Sequence, residues 1–172
     1  IKKENNLYYK KFDDNEDNDD IVLGEVRAFE PLKAFFFTSR EKVAKDYNDS
    51  NKSISDKPKC IVGVKACDLK GFKTQDFVFN NKDFLDPFYL KNRENNLIIS
   101  SDCTTVKDTC FCLSVGVKPF AEENFDINLS SIKKDYIVEI GSEKGKNLIE
   151  KNIDLFNEAS KSMIDERKKS RD

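Results

Sequence analysis

The fold is decided by the stretch from residue 60 to residue 99, which reads CIVGVKACDLKGFKTQDFVFNNKDFLDPFYLKNRENNLII. Its two ends, 60–64 and 97–99, are short continuous apolar runs of the kind that form buried strands. Two helix-like segments lie between them. A strand, helices and a second strand make a βαβ unit, in which the strands are parallel and the crossover is right-handed. The sequence therefore predicts a single α/β domain with a mixed or parallel central sheet and flanking helices.

The two helices of this unit carry recognisable start signals. Asp68 is placed to cap the first helix, whose apolar residues lie near helical spacing at Leu69, Phe72 and Phe79. Asp86 followed by Pro87 is typical of a second helix start, because Asp caps the first amides and Pro has no N–H to satisfy. We expect that helix to end near Asn95.

The chain before this unit is less regular. Residues 32–37, LKAFFF, form either a strand or an apolar plug of the core, and residues 38–41, TSRE, have the capping-box spacing that starts a helix. The polar stretches 15–20 and 46–59 are expected to be solvated loops.

The chain after this unit contains one more strand and one more helix. Residues 136–140, YIVEI, are predicted to be the strand, and the helix carries one apolar face made by Leu148, Ile149, Ile153, Phe156 and Ala159. Residues 141–146, GSEKGK, lack the spacing of a phosphate-binding loop and are expected to be a strand-to-helix turn. We place the domain at residues 1–160 and a charged linker or tail at 161–172.

Composition excludes several classes of function. Fourteen Phe and five Tyr among 172 residues favour a packed core, although 36% of the residues are charged. The formal net charge of −2 gives no large excess of either sign, so bulk electrostatics do not suggest nucleic acid or an anionic membrane as a partner. The absence of His excludes His-based catalytic pairs and His-ligated haem or zinc. No apolar run approaches the roughly 20 residues of a membrane span, and no secretory signal is visible, so we expect a cytoplasmic protein.

The five cysteines carry the functional signal. They are Cys60, Cys67, Cys103, Cys110 and Cys112. An odd number without a secretory signal indicates reduced thiols, and clustered thiols in a reducing compartment favour metal or redox chemistry. Cys60 lies inside a strand-like run and is interpreted as a small packed side chain.

The other four cysteines are predicted to converge. Cys67 follows the first strand and Cys103 follows the second, so parallel neighbouring strands would bring both thiols to the edge where α/β sheets bind ligands. Cys110 and Cys112 come from the next loop, and side chains two apart in an extended segment point the same way. Phe111 between them would point away or cover the site.

Two metal groups suit four thiolates, namely a [4Fe–4S] cluster and a structural zinc ion. Zinc sites more often use two close Cys pairs, whereas this chain offers one close pair and two distant cysteines. The spacing leaves both metals open. Catalysis by a cysteine nucleophile is the weakest alternative, since no His is present to activate a thiolate.

Four segments resemble a known family. Residues 63–69, GVKACDL, resemble a Gly-Val-Arg-Pro-Cys-Asp-Leu motif, and 86–95, 102–112 and 136–145 resemble the motifs that follow it. Together they make roughly 32–159 similar to the beta subunit of cytoplasmic sulfhydrogenases and the A subunit of anaerobic sulfite reductases. Lys and Ala stand where Arg and Pro are usual.

The resemblance implies an iron–sulfur electron-transfer subunit of a multisubunit oxidoreductase. Its partners would be a flavin-containing NAD(P)H reductase subunit and a catalytic hydrogenase or sulfite reductase subunit. Family members continue into a ferredoxin-like region with two sets of Cys-x2-Cys-x2-Cys-x3-Cys, so we expect this chain to be the N-terminal domain of that architecture. A cluster in this chain would be a [4Fe–4S] cluster held by Cys67, Cys103, Cys110 and Cys112. The alternative is a zinc-bound or metal-free α/β module that docks subunits.

Overall fold

A computed structural model describes residues 2–3, 6–12, 21–37 and 57–171. The predicted helix start at 38–41 and the loop at 15–20 lie outside these residues, as does most of the loop at 46–59. The strands are β1 (Lys2–Lys3), β2 (Asn6–Leu7), β3 (Cys60–Val64), β4 (Asn80–Asn81), β5 (Phe84–Leu85), β6 (Leu97–Ser101), β7 (Ile127–Ile132) and β8 (Asp135–Ile140). The α-helices are α1 (Ala66–Phe79), α2 (Pro87–Asn95), α3 (Glu143–Lys151) and α4 (Lys161–Arg171).

The central sheet has four strands in the order β3-β6-β7-β8. Strand β3 pairs with β6 in parallel, β6 pairs with β7 in parallel, and β7 pairs with β8 antiparallel. The mixed sheet confirms the predicted α/β class. It also confirms that the apolar runs at the two ends of the βαβ unit are parallel neighbours.

Strand β3 contains an irregularity that only glycine accommodates easily. The pairing with β6 shifts register between Val62 and Val64, and Gly63 at the shift has a φ of 84°. Side chains with a Cβ rarely adopt this left-handed conformation. The bulge lets Val64 pair with Ser100, and so it sets where the chain leaves the sheet toward α1.

The first helix begins earlier than its predicted cap. The N-cap residue is Lys65, so Asp68 lies in the first turn of α1 rather than at its cap. The side chain of Lys65 makes no capping bond, since an ammonium has no acceptor for the helix amides; it is buried and donates to Ser101 of β6 instead. Asp68 instead lies 3.6 Å from Arg27.

The second helix begins as the sequence predicts. Asp86 is the N-cap of α2, and its carboxylate accepts from the amides of Phe88 and Tyr89 at 2.9 and 3.0 Å. Pro87 occupies the first turn, where its missing N–H costs nothing. The helix ends at Asn95, which confirms both predicted bounds.

The stretch 32–37 is a plug of the core rather than a strand. It forms a 3₁₀ turn over Leu32–Phe35, and Leu32 and Phe36 are buried. The ring of Phe36 packs edge-on against Phe72 of α1, with centroids 4.8 Å apart. Leu69 of α1 and Tyr89 of α2 complete this part of the core. The plug therefore packs against the crossover helices of the βαβ unit.

The C-terminal part differs from the sequence-based expectation in two places. Helix α3 ends at Lys151, so the predicted apolar face does not continue to Ala159; Ile153 lies in a short 3₁₀ turn and is exposed. The side-chain amide of Asn152 donates to the carbonyl of Leu148 at this end. Within the expected charged tail, Lys161–Arg171 form helix α4, which contacts β7 and β8.

Candidate functional site: a thiol-rich edge of the sheet

Two of the candidate cysteines lie at the carboxyl ends of neighbouring parallel strands. Cys67 is in the first turn of α1, three residues beyond β3, and Cys103 follows β6 by two residues. Burial raises the pKa of both thiols; Cys103 adds to the shift at Cys67, and Cys112 and Cys110 add to the shift at Cys103. The predicted placement of Cys67 and Cys103 at one sheet edge is confirmed.

Cys110 and Cys112 do not lie in an extended segment, which corrects the geometry expected from sequence. The amide of Cys110 donates to the carbonyl of Lys107 at 2.8 Å, and its sulfur accepts from the Lys107 amide at 3.3 Å. Cys112 has helical backbone angles and precedes a 3₁₀ turn at Leu113–Val115. The directions of the Cys110 and Cys112 side chains are therefore set by local turns and not by the two-residue repeat of an extended strand.

The two loop cysteines also differ in burial. Cys112 packs against the core, whereas Cys110 is exposed, and Phe111 between them is 57% exposed. No three Cys, Asp or Glu side chains among the described residues are close enough to form a metal-binding group. A metal bound by all four thiols would therefore require the loop to close further.

A buried lysine lies beside the thiols. Lys65 is 2% exposed, and its ammonium donates to the hydroxyl of Ser101 at 2.7 Å and to the carbonyls of Ser101 at 3.3 Å, Asp102 at 3.5 Å and Leu23. Burial lowers its pKa, and the neighbouring Cys103, Asp102, Cys67 and Asp68 oppose that shift. The set of site residues predicted from the sequence does not include Lys65, although a lysine at this position could partly replace His in activating a thiolate.

Burial favours the neutral form of the Cys67 and Cys103 thiols when no metal is bound. Burial raises the pKa of Cys67 to about 11, and Asp68 and Cys103 add to the shift. Burial also raises the pKa of Cys103, while the Lys65 ammonium works against it. A neutral thiol is a poor nucleophile, so this edge does not suit cysteine catalysis. A bound metal would reverse the situation, because coordination deprotonates a thiol outright.

Cys60 lies away from this edge. It is the first residue of β3, paired with Leu97, and it is exposed rather than packed as the sequence suggested. Strand β3 separates Cys60 at its amino end from Cys67 beyond its carboxyl end, so the two thiols lie at opposite ends of the strand. The structure thus separates Cys60 from the other four cysteines.

The turn at 141–146 serves the fold. The hydroxyl of Ser142 caps α3 by accepting from the Gly145 amide at 3.2 Å and donates to Asp126. The ammonium of Lys144 donates to the carbonyl of Asn96, the residue after α2, at 2.8 Å. These contacts join α3 to the amino ends of the parallel strands, as expected of a strand-to-helix turn.

The chain is thus an α/β domain with a thiol-rich edge, and comparison with known proteins gives it a relative. It is 30% identical over 151 residues, 87% of its length, to sulfhydrogenase 2 subunit beta of Pyrococcus furiosus. The chain spans 44% of the length of that relative. This similarity supports a relation to sulfhydrogenase beta subunits. No family model matches the sequence, and no solved structure matches it.

No helix in the described part of the chain is both long enough and apolar enough to cross a membrane.

Proposed function

We propose that this chain is an iron–sulfur electron-transfer domain in a subunit of a multisubunit cytoplasmic oxidoreductase, of the sulfhydrogenase or anaerobic sulfite reductase kind. The proposal assigns one [4Fe–4S] cluster to Cys67, Cys103, Cys110 and Cys112. The observation that carries it is the parallel pairing of β3 and β6, which puts Cys67 and Cys103 at the same edge of the sheet, with Cys110 and Cys112 in the loop that follows Cys103. The similarity to a sulfhydrogenase beta subunit supports the class of complex.

The donor chemistry of the edge fits an iron–sulfur cluster. Four Cys thiolates are the usual ligand set of a cubane cluster, and soft sulfur ligands select iron–sulfur clusters or zinc over hard cations. Four thiolates in one place also concentrate negative charge. The buried ammonium of Lys65 lies beside Cys67 and Cys103 and would offset part of that charge.

Each part of the chain has a role in this proposal. A bound cluster would supply one-electron transfer, and the protein supplies ligation, burial and charge compensation, which set the reduction potential. Cys67 and Cys103 come from the rigid ends of the parallel strands, whereas Cys110 and Cys112 come from the loop. The partners would be a flavin-containing NAD(P)H reductase subunit and a catalytic hydrogenase or sulfite reductase subunit.

The test is the content of iron and acid-labile sulfide per chain after anaerobic reconstitution, measured for the wild type and for all five single Cys→Ala variants. We expect the wild type and Cys60→Ala to bind iron and sulfide equally. Substitution of Cys67, Cys103, Cys110 or Cys112 should lower both. Loss of iron from Cys60→Ala with retention in Cys103→Ala would overturn the assignment, and so would an iron-free wild type.

A second candidate function is subunit docking by a zinc-bound or metal-free domain. Four apolar side chains of the cysteine loop are more than half exposed, and such exposure favours protein contact. They are Val106, Phe111, Leu113 and Val115. A colourless protein that binds zinc stoichiometrically after the same reconstitution would favour docking, whereas a brown protein with sulfide favours the cluster.

A further inference from the structure

The cysteine loop has a closed neck. The amide of Cys103 donates to the carbonyl of Pro119 at 2.7 Å, so residues 103–119 leave and return at one point. This loop holds three of the four candidate ligands. Cys103 is itself part of this neck, so its position depends on how firmly the neck is held.

Arg171 of α4 contacts the residue on each outer side of that neck. Its guanidinium forms two charge-assisted bonds to the carboxylate of Asp102, at 2.9 and 3.1 Å. It also lies over the ring of Phe120, 4.4 Å from the centroid. Asp102 precedes Cys103 and Phe120 follows Pro119, so one side chain bridges the two strands of chain that enter and leave the loop.

The contact between Arg171 and Asp102 is largely buried and is supported by further hydrogen bonds. The side chains of Arg171 and Asp102 are only 15% and 13% exposed, so their ion pair is largely desolvated. The guanidinium also donates to the hydroxyl of Ser130 at 3.0 Å, and Asn128 donates to Asp102 at 2.9 Å. These neighbours fix the orientation of both partners. Removing one member of such a pair leaves the other buried and unpaired, which is costly.

We propose that Arg171 is a positioning residue that clamps the neck of the cysteine loop and so holds Cys103 beside Cys67. The clamp gives α4 a role at the thiol-rich edge. The sequence alone places these residues in a charged tail without a role there. The inference deepens the proposed function and rests on it for the role of the cysteines. The contacts themselves exist without any metal.

The test is the alkylation rate of each cysteine in the reduced, metal-free full chain, followed with iodoacetamide and peptide mass spectrometry. Arg171→Met should speed alkylation of Cys103 by about tenfold, the effect of losing a charge-assisted bond on an opening equilibrium. Cys60, at the far end of the sheet, should react at an unchanged rate. Loss of a nearby cation would by itself slow the reaction, because the thiolate is the reactive form, so acceleration reports release of the neck.

Arg167→Met is the matched control. Arg167 lies one turn earlier on α4, is 19% exposed, and pairs at 3.0 Å with Glu139 of β8, a carboxylate that Arg171 also approaches at 3.4 Å. It should leave the Cys103 rate near the wild-type value. Arg171→Lys keeps the charge but cannot form two parallel bonds to the Asp102 carboxylate, so it should give an intermediate rate. If circular dichroism shows that Arg171→Met does not fold, Arg171→Lys decides the test.

Two results would overturn the clamp. One is an unchanged Cys103 rate in a folded Arg171 variant, and the other is equal acceleration by Arg167→Met, which would mean that only the docking of α4 matters. Iron and sulfide are assayed separately in the same proteins. If the wild type binds iron but Arg171→Met leaves the Cys103 rate unchanged, only the clamp fails. If the wild type binds no iron but the alkylation effect is present, only the proposed function fails.

Discussion

At the scale of single residues, Lys65 departs furthest from what its residue type suggests. A lysine side chain is almost never fully buried unless it is paired. Here the ammonium donates to the Ser101 hydroxyl and to the backbone carbonyls of Leu23, Ser101 and Asp102, which come from two separate segments of the chain. No local pattern in the sequence reports such partners, because they meet only in the folded sheet. The cysteines were easier to place, since each follows a recognisable strand or belongs to a compact cluster.

The thiol of Cys67 leads to a prediction about pH. Its pKa is raised from 9.0 to about 11, so the neutral thiol stabilises the folded metal-free protein. That contribution is complete below pH 9 and is lost as the pH rises through 11. We expect the wild type to lose on the order of 1 kcal/mol of unfolding free energy over this range relative to Cys67→Ala, after allowance for solvent screening.

Urea unfolding of both metal-free proteins under reducing conditions, at pH 8, 9.5 and 11, measures this difference. The comparison with Cys67→Ala cancels the contributions of groups that titrate in the same range and are not coupled to Cys67. Parallel pH profiles for the two proteins would show that the thiol of Cys67 titrates normally in the folded state.

At the scale of elements, three strands of the central sheet could be predicted from their apolar runs, and the fourth, which buries polar side chains, could not. Strand β7 was not predicted because two of its buried residues, Asn128 and Ser130, are polar. Asn128 is satisfied by Asp102 and by the Ser100 hydroxyl, which donates to it at 2.7 Å. The hairpin to β8 was also hidden, since its turn places Lys133, rather than Gly or Asn, at a φ of 50°.

The turn into α3 provides a prediction at this scale. A Cβ at Gly145 would lie 2.0 Å from the carbonyl oxygen of Asp126, which is backbone and cannot move aside easily. Gly145→Ala should therefore lower the unfolding free energy by at least about 2 kcal/mol, as overpacking does. Chemical denaturation of the metal-free protein at neutral pH measures the loss.

Gly71→Ala is the natural control, because it makes the same substitution inside α1. A Cβ there meets only the amide nitrogen of Gln75, at 3.8 Å. Ala has the higher helix propensity, so this variant should gain about 0.5–1 kcal/mol. If both variants lose stability equally, the tight approach of α3 to β7 is not what requires glycine at position 145.

At the scale of the whole molecule, the thiol-rich edge is assembled from segments far apart in sequence. Leu23 meets Lys65, the ends of β3 and β6 bring Cys67 to Cys103, and α4 returns Arg171 to the neck of the loop. The sequence suggested the edge through strand order, but it could not reveal α4. Its charged residues are typical of a solvated linker until their partners on the sheet are known. The domain boundary near residue 160 stays a prediction.

Because the edge joins distant segments, a metal bound there should stabilise the entire domain. Ligation free energy is available only to the folded chain, so it adds to the free energy of unfolding. We expect anaerobic reconstitution with iron and sulfide to raise the thermal midpoint of the wild type by about 5–10 °C, since 1 kcal/mol corresponds to roughly 2–4 °C in a domain of this size.

The Cys variants show whether that shift comes from this edge. Cys60→Ala should show the full rise, because its thiol lies at the opposite end of β3. Cys103→Ala should show almost none, because one of the four proposed ligands is gone. Differential scanning calorimetry with and without reconstitution gives the difference for each protein. A rise in Cys103→Ala equal to that of the wild type would place the stabilising metal elsewhere in the chain.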